Sequence, residues 1–314
     1  MRFRAVVESL GDFNDWVAGL QAAPKAPASE LAKAGQSLFL SKGCVACHSI
    51  YGMPGAAGKL GPDLTLLGER LTIGAGILDN SDANLRGTIT HSSLKKVLSH
   101  IQRSDWSANL VTMTGDLIHD DSREAYNCFC ELMRPLGLPV YCVPGNHDVR
   151  TIMQDVLTDP DFHYCESVIH RNWLIIGIDS CMNNDDAGRI DEKEMQRLGT
   201  ILNETKVEHV LIYLHHPPLS IGSEWLDQFG LNNREEFLTL IAQTGKVKVV
   251  IFGHVHQAFD HSHDSIRIIG TPSTCRQFKV ASNEFTLDNH PPAYRRISLY
   301  PDGSVETDLI WLSD

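Results

Sequence analysis

The sequence predicts an α/β domain of layered β-sheet and helix, preceded by a small, partial all-α segment. Three observations predict it. Apolar, β-rich runs recur after residue 90, helix-like segments separate several of them, and each run ends in a polar loop marked by Gly or Pro. Such alternation builds a sheet covered by helices, with its chemistry at the strand exits along one edge. The two parts are expected to divide into 1–85 and 86–314.

The 314 residues are 42% hydrophobic and 21% charged, an ordinary globular composition with room for two domains. The four Lys, four Arg, five Asp and three Glu of residues 1–90 cancel, so the net charge of −12 belongs to the remainder. An acidic larger part argues against nucleic-acid binding and suits either a carboxylate-containing cation site or a solvated surface. No uninterrupted apolar stretch is long enough to span a membrane, so no membrane insertion is expected.

In the small part, "AAPKAPASE" (Ala22 to Glu30) reads as a Pro-rich linker, and Leu31–Leu40 as a helix followed by Gly-rich loops. "GCVACH" (Gly43 to His48) then gives Cys44, Cys47 and His48 the spacing for covalent haem, with two thiols for the vinyl groups and an adjacent imidazole for iron. A zinc half-site or a redox dithiol uses the same residues, although a zinc site needs a second ligand pair and none is near. The other six cysteines mostly lie in or beside apolar runs, as buried free thiols do in a reducing compartment. No signal peptide is visible, and the chain reads as cytoplasmic, or as periplasmic only if haem is attached.

In the larger part, Leu94, Val97, Leu98 and Ile101 fall on one face of a helix over Ser92–Trp106. Five strand-like runs follow: "NLVTMTGD" (109–116), "PVYCVPGNHD" (139–148), "LIIGIDS" (174–180), "HVLIYLHHPP" (209–218) and "VKVVIFGHVH" (247–256). Helix-like segments at Ser122–Leu136 and Asp191–Leu202 lie between them. Their exits supply Asp116, Asn146, His147, His215, His254 and His256. Carboxylate, amide oxygen and imidazole suit divalent cations such as manganese, iron or zinc. Gly115, Gly145 and Gly253 allow the tight turns that aim the following side chains into one cleft. Each cluster alone also reads as an ordinary turn or strand end; the four together point to a shared site.

These motifs resemble the calcineurin-like metallophosphoesterase family. "TGDLIHD", "VPGNHD", "LHHPP" and "FGHVH" carry the resemblance, while "GTPSTCRQFK" (Gly270 to Lys279) and "PPAYRRISLYPDG" (Pro291 to Gly303) point to its 3′,5′-cyclic AMP phosphodiesterase branch. The resemblance implies a metallophosphoesterase-type layered fold and metal-dependent hydrolysis of a small cyclic nucleotide to the 5′-monophosphate. It implies two cations, iron or manganese. Asp116 bridges them, Asn146, His215 and His254 complete one shell, and His256 belongs to the other. His147 serves at the leaving oxygen, His216 and Asp148 orient ligands, and His119 is solvated or orienting.

The family opens on a strand ending in Asp-x-His, which this sequence lacks. "LTIGAGILDNSDANLRG" (Leu71 to Gly87) stands in its place, with Leu71–Leu78 apolar enough to imitate the strand and Asp79 and Asp82 as the nearby carboxylates. The first cation then keeps only Asp116 and His256, and impaired activity is expected, with one cation bound instead of two. Residues 1–85 resemble a truncated class I cytochrome c domain like that of cytochrome oxidase subunit II, through "AGQSLFLSKGCVACHSI" and "GKLGPDLTLLGER". That resemblance implies haem c, a chimera of two families, and an alternative function as an electron-transfer protein. A further alternative is a catalytically dead metal-binding module.

Overall fold

Residues 11, 27, 29–60, 63–65, 67, 72–73, 78–79, 90–118, 122–183 and 185–312 are described in the computed structural model. They belong to two units, Met1–Thr88 and Ile89–Asp314. In the first, helix α1 (Glu30–Ser41) starts where the Ser29 hydroxyl accepts the Ala32 N–H at 3.1 Å, an N-cap that satisfies an otherwise orphaned donor. Gly43, at φ 81°, turns the chain into a 3₁₀ turn over Cys44–Ala46. Strands β1 (Thr72–Ile73) and β2 (Leu78–Asp79) pair antiparallel. Leu71–Leu78 therefore does not imitate a single strand. Gly74 and Gly76 weaken an extended run at its middle, where no side chain is available to pack.

The second unit is built on a six-stranded sheet in the order β10-β11-β9-β8-β7-β6. Its strands are β6 (Ser167–His170), β7 (Trp173–Gly177), β8 (His209–Leu214), β9 (Val247–Phe252), β10 (Phe259–His263) and β11 (Ile266–Gly270). β7, β8, β9 and β11 run parallel, while β6 and β10 close the edges antiparallel. All six residues of β8 and all five of β7 are buried. Burial on both faces explains why these strands are continuous apolar runs.

Alternation along the strands divides the core between two faces. Leu174 and Ile176 pack with Leu198 and Leu202 of α5 (Glu192–Glu204) and with Phe237 and Ile241 of α6 (Arg234–Ala242). Trp173, Ile175, Leu211 and Ile251 face the other way, against Ile297, Leu299 and Val305 of the hairpin β12 (Ala293–Leu299) and β13 (Val305–Trp311). Each buried aliphatic side chain contributes about 1.5–3 kcal/mol.

A smaller parallel sheet joins β3 (Val111–Met113), β4 (Val140–Cys142) and β5 (Phe162–Tyr164). It packs with α2 (Thr90–Arg103), α3 (Arg123–Met133) and α4 (Arg150–Val156) around Tyr126, Phe129, Met133 and Met153. The helices lie within one or two residues of their expected starts, and Arg134–Leu136 tightens into 3₁₀ geometry at Pro135. The edge strands β6 and β10 were not apparent in the sequence, because on β6 exposed and half-buried positions alternate and β10 is largely exposed. Among the described residues, no helix is long and apolar enough to cross a membrane.

Candidate metal centre

Four strand exits meet at one end of the two sheets. Thr114 and Gly115 lead from β3 to Asp116, Asn146 to Asp148 follow β4, His215 and His216 follow β8, and His254 to His256 follow β9. The backbone is left-handed at Asp116 (φ 55°), His254 (φ 65°) and His256 (φ 48°). Each such residue costs on the order of 1–3 kcal/mol, tolerated where the surrounding structure fixes it. The Gly253 N–H donates to His215 O at 3.1 Å and the Val143 N–H to Met113 O at 3.1 Å, tying neighbouring exits together. A Cβ at Gly115 would stand 2.5 Å from His215 Nδ1, and one at Gly145 would collide with the Asp116 carboxylate.

His215 is 1% exposed. Its Nδ1 lies 2.7 Å from Thr114 O, and a carbonyl only accepts, so Nδ1 carries the proton and Nε2 presents a lone pair. That lone pair is 3.0 Å from Asn146 Oδ1 and 3.0 Å from His254 Nδ1, and those two atoms are 3.0 Å from each other. Asn146 Nδ2 donates to Asp186 Oδ1 at 3.2 Å, which assigns the amide oxygen to the site. Asp116 Oδ2 lies 3.5 Å from His215 Nε2, while its Oδ1 accepts the His147 N–H at 3.1 Å.

This donor set fits a cation. Two ligand atoms each about 2.1 Å from an ion and about 90° apart are about 3.0 Å from one another. His254 Nε2 is buried without a hydrogen-bond partner. Burial, reinforced by the neighbouring imidazoles, holds His254 well below the usual histidine range. Burial also lowers His256 to about 4, against the opposing pull of Asp116. Neutral imidazoles are the ligating form. Burial pushes the Asp116 carboxyl up, but His215, His147 and His256 bring it below its ordinary value, so it is ionised.

His256 Nδ1 is 2.9 Å from Arg276 O, which leaves Nε2 as the lone-pair nitrogen, and the ring stacks on Phe278 at 4.3 Å. His216 is engaged at both nitrogens: Nδ1 lies 2.8 Å from Ser180 Oγ and Nε2 lies 3.2 Å from Asp186 O. Burial lowers it to about 3, so it stays neutral and braces the ring of His215, 4.8 Å away. Asp148 accepts from Gly145 N, Leu117 N and the Tyr126 hydroxyl at 2.9–3.1 Å, joining the loops after β3 and β4.

The structure thus gathers Asp116, Asn146, His147, His215 and His254 by direct contact, with His256 near enough to couple electrostatically to Asp116. Ser180, Asp186 and Arg276 were missed in the sequence; the stretch "NNDDAG" (Asn183 to Gly188) reads as an ordinary turn. His119 and Asp82 lie outside the described residues, as does the side chain of Asp79. Cys44, Cys47 and His48 share one turn of the first unit, where both thiols are free and the His48 N–H donates to Cys44 O at 3.0 Å.

The calcineurin-like phosphoesterase family profile matches residues 87–258. The 3′,5′-cyclic adenosine monophosphate phosphodiesterase CpdA of Haemophilus influenzae is 32% identical over 234 residues, covering 74% of this chain and 85% of that protein. CpdA of Escherichia coli K12 is 36% identical over 231 residues, covering 73% and 84%. The 3′,5′-cyclic-nucleotide phosphodiesterase alr5338 of Nostoc is 31% identical over 233 residues, covering 74% and 88%. The haem reading of Cys44, Cys47 and His48 rests on the sequence motif alone.

Proposed function

The chain belongs to the calcineurin-like phosphoesterase family, and from that premise we propose that it is a metal-dependent phosphodiesterase hydrolysing 3′,5′-cyclic AMP to the 5′-monophosphate. The observation that carries this reading is the convergence of Asn146 Oδ1, His215 Nε2 and His254 Nδ1 beside the Asp116 carboxylate, in a chain whose relatives bear that activity in their names.

Asn146, His215 and His254 would hold one divalent cation, and Asp116 and His256 would hold a second. Iron or manganese held there would supply Lewis-acid charge to the phosphoryl oxygens and lower the pKa of water. Asp116 places its ionised carboxylate at the centre of the site. His147, exposed and anchored through its backbone N–H on Asp116, is the group that hands a proton to the departing 3′ oxygen. Asp148 and Asp186 hold the ligand loops still, so the donors need no rearrangement as charge develops.

His256 and Asp116 are the only two ligands left for the second cation among the described residues, and two donors bind weakly. Turnover is therefore impaired and rises with added metal. The test is hydrolysis of bis(p-nitrophenyl) phosphate by the full chain across a manganese titration. Rising turnover supports the reading; stoichiometric metal binding with no turnover at any concentration supports the dead metal-binding module instead.

A further inference from the structure

Among the five strand exits, the one after β7 supplies no candidate ligand, yet its loop reaches the metal centre twice. The Ser180 hydroxyl lies 2.8 Å from His216 Nδ1. Asp186 takes the Asn146 amide on its carboxylate and His216 Nε2 on its main-chain carbonyl. The base of the loop is narrow: Cys181 bridges Gly188 antiparallel, and the Arg189 N–H donates to Ser180 O at 2.9 Å. A Cβ at Gly188 would stand 2.3 Å from His216 Cγ, so this base lies directly against the histidine. The tip, with Asn183, Asp185 and Asp186, is exposed.

Arg150, the first residue of α4, grips this loop from the neighbouring exit. Its Nη1 donates to Cys181 O at 3.2 Å and pairs with Asp179 Oδ2 at 3.4 Å, while its Nη2 donates to Asn183 Oδ1. The Tyr164 hydroxyl donates to the same Asp179 oxygen at 3.1 Å. The two charged side chains are 29% and 21% exposed, so water screens them little. The Cys181 thiol returns the contact, donating to Pro144 O at 3.2 Å. The loops after β4 and β7 are therefore stitched together both before and after Asn146 in the chain.

We propose that Arg150 is a positioning residue of the metal centre: by pinning the loop after β7 at Asp179, Cys181 and Asn183, it holds Asp186 where it keeps the Asn146 amide oxygen turned toward the site. The inference rests on the reading of Asn146 as a metal ligand. An ion pair kept for stability alone needs only Asp179. The second amino group, spent on Asn183, ties the guanidinium to the segment that carries Asp186. A lysine keeps the charge beside Asp179 but not the planar fork that reaches all three acceptors.

The test compares the full chain with Arg150→Lys, Asp186→Ala and the double variant. Manganese affinity is read by calorimetry. In the metal-free protein, exchange of the Asn146 side-chain amide protons is read by NMR, with the resonance assigned by its loss in Asn146→Ala. Arg150→Lys is expected to keep its Tm, to bind manganese about tenfold more weakly and to speed that exchange at least about tenfold. In the Asp186→Ala background the same substitution should cost less than about threefold further, because both act through one amide. Unchanged affinity or unchanged exchange in Arg150→Lys overturns the inference, and so do losses that multiply in the double variant. If the unsubstituted chain binds no manganese, the metal-centre reading fails and the Asn146 exchange alone decides the role of Arg150.

Discussion

His215 Nε2 and His254 Nδ1 lie 3.0 Å apart, and Asn146 Oδ1 lies 3.0 Å from each. His215 Nδ1 donates to Thr114 O, which leaves Nε2 facing the Asn146 oxygen and His254 Nδ1. A cation relieves that crowding, and four predictions follow from the geometry around it.

Asn146→Ala removes one corner. Metal affinity should fall at least about 100-fold, since loss of a supporting hydrogen bond alone costs 10–100-fold. Metal content by mass spectrometry after dialysis checks this, and retained stoichiometric metal would refute it.

Asp186 acts at one remove, by fixing which end of the Asn146 amide faces the site. Asp186→Ala should weaken metal binding about 10–100-fold, while Asp186→Asn, which keeps an acceptor oxygen, restores most of it. Because Asp186 is exposed and grips His216 through its main chain, Tm should stay nearly unchanged in both variants. Calorimetric metal titration of the two variants separates orientation from folding.

Gly145→Ala places a methyl group against both the carboxylate and the backbone N–H of Asp116. Backbone cannot swing aside as a flexible side chain can, so a loss of about 1–3 kcal/mol is expected together with loss of metal. Urea unfolding read alongside metal content measures both. A variant with unaltered midpoint and full metal would contradict the close approach.

The metal-free protein should lose stability in acid. His216 and His256 have folded values near 3 and 4, both depressed first by burial, against an unfolded value near 6.5. A depressed imidazole contributes stability above the unfolded value, lost as pH falls from about 6.5 toward the folded value; His216 alone represents on the order of 3–5 kcal/mol. Asp148 opposes this. Burial and then Asp116 raise it to about 6, so its own contribution is largest below about pH 4 and is lost as pH rises through 6. The two imidazoles outweigh one carboxyl, and urea midpoints should fall between pH 6.5 and 4. Midpoints that rise across that range would contradict the assignment.

Much of this centre was legible in the sequence because parallel strands buried on both faces are written as unbroken apolar runs, and four of the five runs stop at a candidate ligand. Asp116, Asn146, His215, His254 and His256 were picked out as candidates that way. Asp186 was not, because its role depends on a loop folding back onto Asn146 from forty residues away. Ser180 was hidden for the same reason, its hydroxyl meeting His216 from thirty-six residues away. Leu71–Leu78 misled through its composition, since apolar content cannot distinguish one strand from two short ones flanking glycines.

The most direct measurement is chromatographic detection of 5′-AMP from 3′,5′-cyclic AMP, using the full chain and Asp116→Ala over a manganese titration. The predicted result is slow product formation that rises with metal, stops with chelator and is absent in Asp116→Ala. Product formation that ignores both chelator and the substitution, or none at all from metal-loaded protein, would contradict a metal-dependent phosphodiesterase built on this site.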